Sequence, residues 1–130
     1  MNKAHLSAII FNDRHAKQKL EALVHPMVQQ EFDYWCAQHS NHQYVIKEAA
    51  ILFESESNKG LDAVICVSAS VETRILRVMK RNGVSRQDVL DRMNNQWDEK
   101  KKAQLSDYII SNEEKDMLIP QVLELHETLK

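Results

Sequence analysis

Leu61–Gln96, LDAVICVSASVETRILRVMKRNGVSRQDVLDRMNNQ, is the stretch whose reading decides the fold. Ala63-Val64-Ile65-Cys66-Val67 is a short, nearly continuous apolar run rich in β-branched residues. Such a run suits a strand buried on both faces of a parallel sheet. Ser70 stands where a helix N-cap is wanted, and Val71 to Arg81 carries helical spacing. Val71, Ile75, Val78 and Met79 share one face of that helix. Arg74, Arg77 and Arg81, at i, i+3 and i+7, form a stripe beside it. Gly83 breaks the helix, and Ser85 caps a second one that carries Arg86, Arg92 and Gln96. Guanidiniums crowded in this way repel one another unless acids or an anion compensate, and phosphate matches their planar donor forks. The same stripe also suits an ordinary solvated helix face, with Glu72, Asp88 and Asp91 as pairing acids.

The rest of the composition narrows the classes. One hundred and thirty residues suffice for one domain with a core, and a formal net charge of −2 argues against a wholesale nucleic-acid binder. No apolar run reaches membrane-spanning length, and the N-terminus has no signal-peptide pattern. Cys36 and Cys66, the only cysteines, fall in a helical and a strand pattern; they read as free thiols of a reducing compartment, with the cytoplasm as the expected location. Only two glycines occur, Gly60 and Gly83, and nothing fits G-x-x-x-x-G-K-[ST] or G-x-G-x-x-G. The 130 residues therefore hold no glycine-rich phosphate loop.

Outward from the opening stretch, helices and strands alternate. Residues 3–12 read as a short amphipathic helix. Asp13 caps the next helix, whose buried side is Leu20, Leu23 and Val24. His25-Pro26 predicts a kink or a new helix start, because proline removes a donor and disfavours helix in the residue before it. The helix resumes through Val28, Phe32, Trp35 and Cys36 to end near His39. Tyr44-Val45-Ile46 is a strand candidate, and Lys47–Glu54 a strand end passing into a turn or short helix, a reasonable place for a site. Ser55–Gly60 is a polar loop. Trp97–Lys102 is a charged continuation, a bend and then a helical turn. Asp107–Ser111 is the third strand candidate. Asn112 caps a final helix with Leu118, Val122, Leu125 and Leu129 as its stripe, regular mostly after Pro120. The alternation argues for α/β with a parallel sheet, though three strands read as part of a larger one.

Six histidines raise a metal site, but His5, His15 and His25 recur ten apart, and His39 with His42 form an i, i+3 pair. Neither pattern has cysteine or acidic partners at ligand spacing, so no metal site is expected. His25 is notable for its proline. Glu54 closes an apolar run and fits a site carboxylate or a solvated loop acid equally. Trp35 and Trp97 read as packing residues.

With these residues in view, the chain resembles the dephospho-CoA kinase family over essentially its whole length. Leu20-Glu21-Ala22-Leu23-Val24-His25-Pro26 resembles the family's L-x-x-x-x-H-P, and Ala50-Ile51-Leu52-Phe53-Glu54 its P-L-L-[FV]-E. Arg74 to Arg81 is similar to Q-x-x-R-x-x-x-R, and Arg92-Met93-Asn94-Asn95-Gln96 to R-[IM]-x-x-Q. Ser106-Asp107-Tyr108-Ile109-Ile110-Ser111-Asn112 resembles A-D-x-V-I-x-N. Two departures are modest: Ala50 stands at the family's proline and Arg74 at its glutamine.

The resemblance implies a P-loop kinase fold: a parallel sheet, a helical substrate region and a mobile lid. It implies transfer of the γ-phosphate of ATP, with Mg²⁺, to the ribose 3′-hydroxyl of dephospho-CoA. By the same resemblance Arg77 is the lid arginine on the ATP phosphates, Arg81 a second arginine near them, and Asn112 a residue at the adenine. His25, Ile51, Leu52, Phe53 and Glu54 fall on the CoA side. Family members begin with a strand, a P-loop and an aspartate proposed as general base, none of which this sequence matches. The expectation is thus a C-terminal portion of such a kinase. Residues 1–42 would be its helical substrate side, 43–69 and 105–130 its sheet and last helix, and 70–104 its lid. Alone it should be inactive, bind neither ATP nor Mg²⁺ tightly, and self-associate through exposed sheet edges. Two alternatives are another small-molecule kinase of the same class, with a nucleoside monophosphate acceptor, and a non-enzymatic arginine-rich binding module. Neither nucleic acid nor membrane is an expected partner.

Overall fold

The computed structural model describes residues 13–130, which fall into two compact units divided between Ile46 and Lys47. The amphipathic helix expected over residues 3–12 lies outside the described residues.

In the first unit, Asp13 caps helix α1 (Arg14–Gln38), its carboxylate accepting from the amides of His15 (2.8 Å) and Ala16 (3.1 Å). The helix runs unbroken through Pro26, so the expected new start at His25-Pro26 is corrected. A proline in a helix interior forfeits one hydrogen bond, and here two long flanking segments keep the helix continuous on either side. Leu23 and Val24, expected on the buried side, are exposed instead. At the C-terminal end His39 Nδ1 meets the Trp35 carbonyl oxygen at 2.7 Å, and the two rings lie 4.3 Å apart between centroids.

The second unit holds the sheet. Tyr44-Val45-Ile46, just before it, is not a strand, which corrects the three-strand expectation. Its β-branched and aromatic composition is that of a strand, but strand structure needs a neighbour to share the ladder, and the described sheet has two strands. Residues 50–60 form a run of turns, with Glu56 and Gly60 both at positive φ (57° and 86°). Strand β1 (Ile65–Ser68) then leads through Ser70, which accepts from the Thr73 amide, into α2 (Val71–Asn82). Gly83 ends α2 in the left-handed conformation at φ 64°, where a side chain would be strained. Ser85 opens α3 (Arg86–Asn94) with a reciprocal capping box to Asp88. The short α4 (Glu99–Gln104) precedes β2 (Tyr108–Ser111), and α5 (Leu118–Leu129) closes the chain.

Strands β1 and β2 pair in parallel, Ile65 opposite Tyr108 through Ser68 opposite Ser111. Bonds beyond both ends extend the ladder, from Tyr108 N to Val64 O and from Asn112 N to Ser68 O. Helix α4 packs on β1, α5 on β2, and α3 on α2. The two helices α2 and α3 thus make an arm that leaves the sheet at Ser68–Ser70 and returns at Trp97–Glu99. Exposed Arg86 spans the elbow of this arm with both guanidinium ends on Glu72 (2.6 and 2.8 Å).

Among the described residues the buried apolar core is small: Ile75 is 0% exposed, Val89 3% and Ile110 9%. Of the face expected on α2, Ile75 is buried and Val71 exposed. The strands are not covered on both faces either, since Val67 and Ile109 are more than half exposed. Two strands offer helices too little width to blanket both sides. Asn112 does not cap the last helix. Met117 precedes it, and the 112–117 connection is fastened by Asp116, which accepts from Ser111 Oγ and the Glu113 amide. Gln121 bonds both backbone groups of Ser111, at 2.9 and 3.0 Å. Pro120 lies in the first turn of α5, where its missing N–H costs little.

Candidate functional site

Both strands end in serine, and a cleft of about 310 Å³ opens at their carboxyl ends. This is where a parallel sheet presents ligands, because the chain turns outward there and leaves a crevice. Ser68, Ser70 and Arg74 line it from the first strand and α2. Glu99 and Lys100 line it from α4, and Ser111 and Glu113 from the end of β2.

Its carboxylates are already engaged. Glu99 accepts from Ser68 Oγ (2.7 Å) and the Ala69 amide (3.0 Å) and pairs with Arg74, so one acid ties both ends of the arm together. Glu113 accepts from the Ser70 amide and from Thr73 Oγ1 (2.8 Å). The Ser70 amide bond, followed by the Thr73 hydroxyl, holds the Glu113 carboxyl below the usual range. It thus lies against the first turn of α2, a position that suits a negative group.

Arg77 donates from Nη1 to the carbonyl oxygen of Asn112 (2.8 Å), the residue between Ser111 and Glu113 of the cleft lining. The structure therefore brings together two of the residues singled out in the sequence, on Ser111 and Glu113's flank of the opening. Arg81 sits exposed in the last turn of α2 with Nε on Asn82 Oδ1 (3.0 Å). His25 is half-buried in α1 of the first unit, and Ile51–Glu54 belong to the turns of the second.

Glu54 is the best-anchored of these. Its Oε1 accepts from the Trp97 amide (2.9 Å) and from Lys102 Nζ (2.6 Å), and Lys102 also donates to the Ala50 carbonyl (2.9 Å). The Glu54 and Lys102 side chains are each only 16% exposed. Burial pushes the Glu54 carboxyl up, but the Lys102 and Trp97 hydrogen bonds together outweigh it and hold it below the usual range. Lys101 stacks its ammonium over the Trp97 ring, 3.4 Å from the centroid. Among the described residues no three or more His, Cys, Asp or Glu side chains are grouped to hold a metal ion, and no helix is long and apolar enough to cross a membrane.

Depressed carboxylates set the acid behaviour. A carboxyl whose folded pKa lies below its unfolded value adds stability above the unfolded value, and that stability is lost as pH falls through the folded one. Glu54 and Glu113 both have this sign. The urea midpoint is expected to be flat above about pH 5 and to fall below about pH 4. In Glu54→Gln the fall should be shallower, and an equal slope would remove Glu54 from the account.

Lys102, Glu99 and Glu113 were not singled out in the sequence. Each acts on a partner 30 to 52 residues away, so no local spacing marks them.

A two-stranded parallel core whose strand ends open under an arginine-bearing helical arm places the chain in the class of P-loop-kinase-like α/β folds. A solved structure, described as TT1252 from Thermus thermophilus, matches with a TM-score of 0.84 and 28% identity, over 98% of this chain and 66% of that one. The dephospho-CoA kinase family model matches residues 1–117, and the chain belongs to that family. Relatives named dephospho-CoA kinase include one from Chlorobium chlorochromatii, 36% identical over 114 residues, which span 86% of this chain and 54% of that one. Another, from Bacteroides fragilis, is 30% identical over 126 residues, 96% of this chain and 61% of the relative. The chain thus spans little more than half the length of these relatives.

Proposed function

We propose that the protein serves ATP-dependent phosphorylation of the ribose 3′-hydroxyl of dephospho-CoA, in the cytoplasm. The observation that carries this reading is Arg77 held by the carbonyl of Asn112, the residue between Ser111 and Glu113 of the strand-end cleft. Phosphoryl transfer needs mainly positioning and charge neutralisation, and a guanidinium anchored at one nitrogen keeps its other donors for phosphate oxygens. In this reading Arg77 and Arg81 serve the ATP phosphates and Asn112 the adenine. His25, Ile51, Leu52, Phe53 and Glu54 serve the acceptor. Mg²⁺ enters as the MgATP substrate. The cleft acids Glu99 and Glu113 are committed to protein partners.

The 130 residues contain no glycine-rich phosphate loop, so the purified chain is expected to show no ATP- and dephospho-CoA-dependent turnover in a coupled assay. A chimaera that joins to it the unmatched part of the Chlorobium relative is expected to phosphorylate dephospho-CoA. A chimaera active on nucleoside monophosphates instead would overturn the acceptor assignment. The family match does not favour that acceptor, nor a non-enzymatic arginine-rich module.

Self-association is proposed as well. Strand β1 is paired on one side, its other edge has no ladder partner among the described residues, and Val67 and Ile109 are exposed beside it. Light scattering should show species larger than 15.1 kDa; a monodisperse monomer counts against the proposal.

A further inference from the structure

We infer that Lys102 is a positioning residue: with Glu54 it clamps the returning base of the α2–α3 arm to the 50–60 turns and so sets where the arm stands over the cleft. The arm meets the sheet at two points. Its outgoing end, Ser68–Ser70, is held by Glu99 and Glu113. Its returning end begins at Trp97, three residues beyond α3, and there Glu54 takes the Trp97 amide.

Lys102 makes that bond a fixed point. Its ammonium bridges the Glu54 carboxylate and the Ala50 carbonyl, so both ends of the Ala50–Glu54 segment converge on one cation. The pair is only 16% exposed on each side, and water competes weakly there. Beyond this clamp α3 packs on α2, so the arm's stance depends on its two anchored ends. Lys101 stacked on the Trp97 ring stiffens the same corner. Charge is essential to the device. An apolar side chain such as methionine could fill the space of Lys102 but could hold neither the carboxylate nor the carbonyl.

The consequence for catalysis rests on the proposed function, in which the arm's Arg77 and Arg81 serve the phosphates of MgATP, taken with the arm as the lid that residues 70–104 are expected to form. The clamp itself is tested apart from it, by amide hydrogen exchange on the 130-residue chain. In Lys102→Met the Trp97 amide and the amides of α2 and α3 should exchange about tenfold faster, while the β1–β2 ladder amides keep their rates. Lys102→Arg, which keeps the charge and the donors, should restore the original pattern. Should Lys102→Met fail to fold, Glu54→Gln carries the test, since it keeps an acceptor for Trp97 but removes the ion pair. Unchanged arm amides, an equal acceleration in the ladder, or no rescue by arginine would each overturn the inference. In the chimaera, Lys102→Met should lower kcat and, because the same cation anchors the Ala50–Glu54 segment that serves the acceptor, also raise the KM for dephospho-CoA, with Lys102→Arg restoring both. Faster arm exchange with kcat intact would leave the clamp standing and remove the lid role from the proposed function.

Discussion

Replacing Ile75 with alanine is expected to lower the stability of residues 47–130 by about 3 kcal/mol, read as a fall of roughly 2 M in the urea midpoint. Ile75 is the largest fully buried side chain among the described residues, at 0% exposure. It lies on α2, against which α3 also packs, and Val89 and Ile110 are its fellow buried apolar residues. Deleting three carbons there forfeits their transfer free energy and leaves a cavity that so small a core cannot redistribute. A domain is rarely more than about 5–15 kcal/mol stable, so the loss is a large fraction of the total. Neighbouring Leu76, 56% exposed on the same helix, supplies the control. Leu76→Ala should cost less than about 0.5 kcal/mol, and Ile75→Val about 1 kcal/mol. If Ile75→Ala and Leu76→Ala shifted the midpoint equally, burial at Ile75 would not be what holds this unit together.

The elements that could be read from the sequence are those whose cause is local. Asp13, Ser70 and Ser85 each cap a helix through an amide two or three residues on, and Gly83 ends one with its own φ. What depends on a distant neighbour does not show in local sequence. Tyr44-Val45-Ile46 has strand chemistry without a ladder partner in the described sheet. Val67 and Ile109 are as apolar as core strands demand, but apolar composition does not count the helices available to cover them. Asn112 has the right side chain for a cap. Asp116 and Gln121 nevertheless fasten the connection after β2, so the last helix starts at Leu118, with Met117 in the cap position.

The site divides along the same line. Arg77 and Asn112 stand in motifs, so both could be named in advance, though not that the contact between them runs through the Asn112 main-chain carbonyl. Arg74 belongs to the arginine stripe in sequence but stands at the family's glutamine, so it reads as structural beside Arg77 and Arg81. In the fold it turns into the cleft to pair with Glu99, a partner 25 residues on, while Arg77 and Arg81 take different surroundings. The three arginines of the stripe therefore have three different protein partners. Its members are separated by which carboxylate or carbonyl lies within reach of each, and only tertiary structure decides that.

This separation gives the second large effect. In the active chimaera, Arg77→Ala is expected to lower kcat/KM by about 10²–10³, the usual loss when a preorganised donor to a transferring group is removed. Arg77 has one nitrogen fixed on the Asn112 carbonyl, so its orientation is set before substrate arrives. Arg81 donates to Asn82 within its own helix turn and is exposed, so Arg81→Ala should cost no more than about tenfold. The division between constants tells where Arg77 acts. A fall in kcat with KM for MgATP held would mean that its charge meets the phosphoryl group mainly in the transition state. A rise in KM alone would mean that it grips the ground-state phosphates. Lysine at position 77 should recover only part of the loss, because an ammonium cannot bond the Asn112 carbonyl and present a planar fork to phosphate together. Should Arg77→Ala and the parent chimaera turn over alike, the assignment of Arg77 to the phosphates fails, and with it the observation on which the proposed function rests.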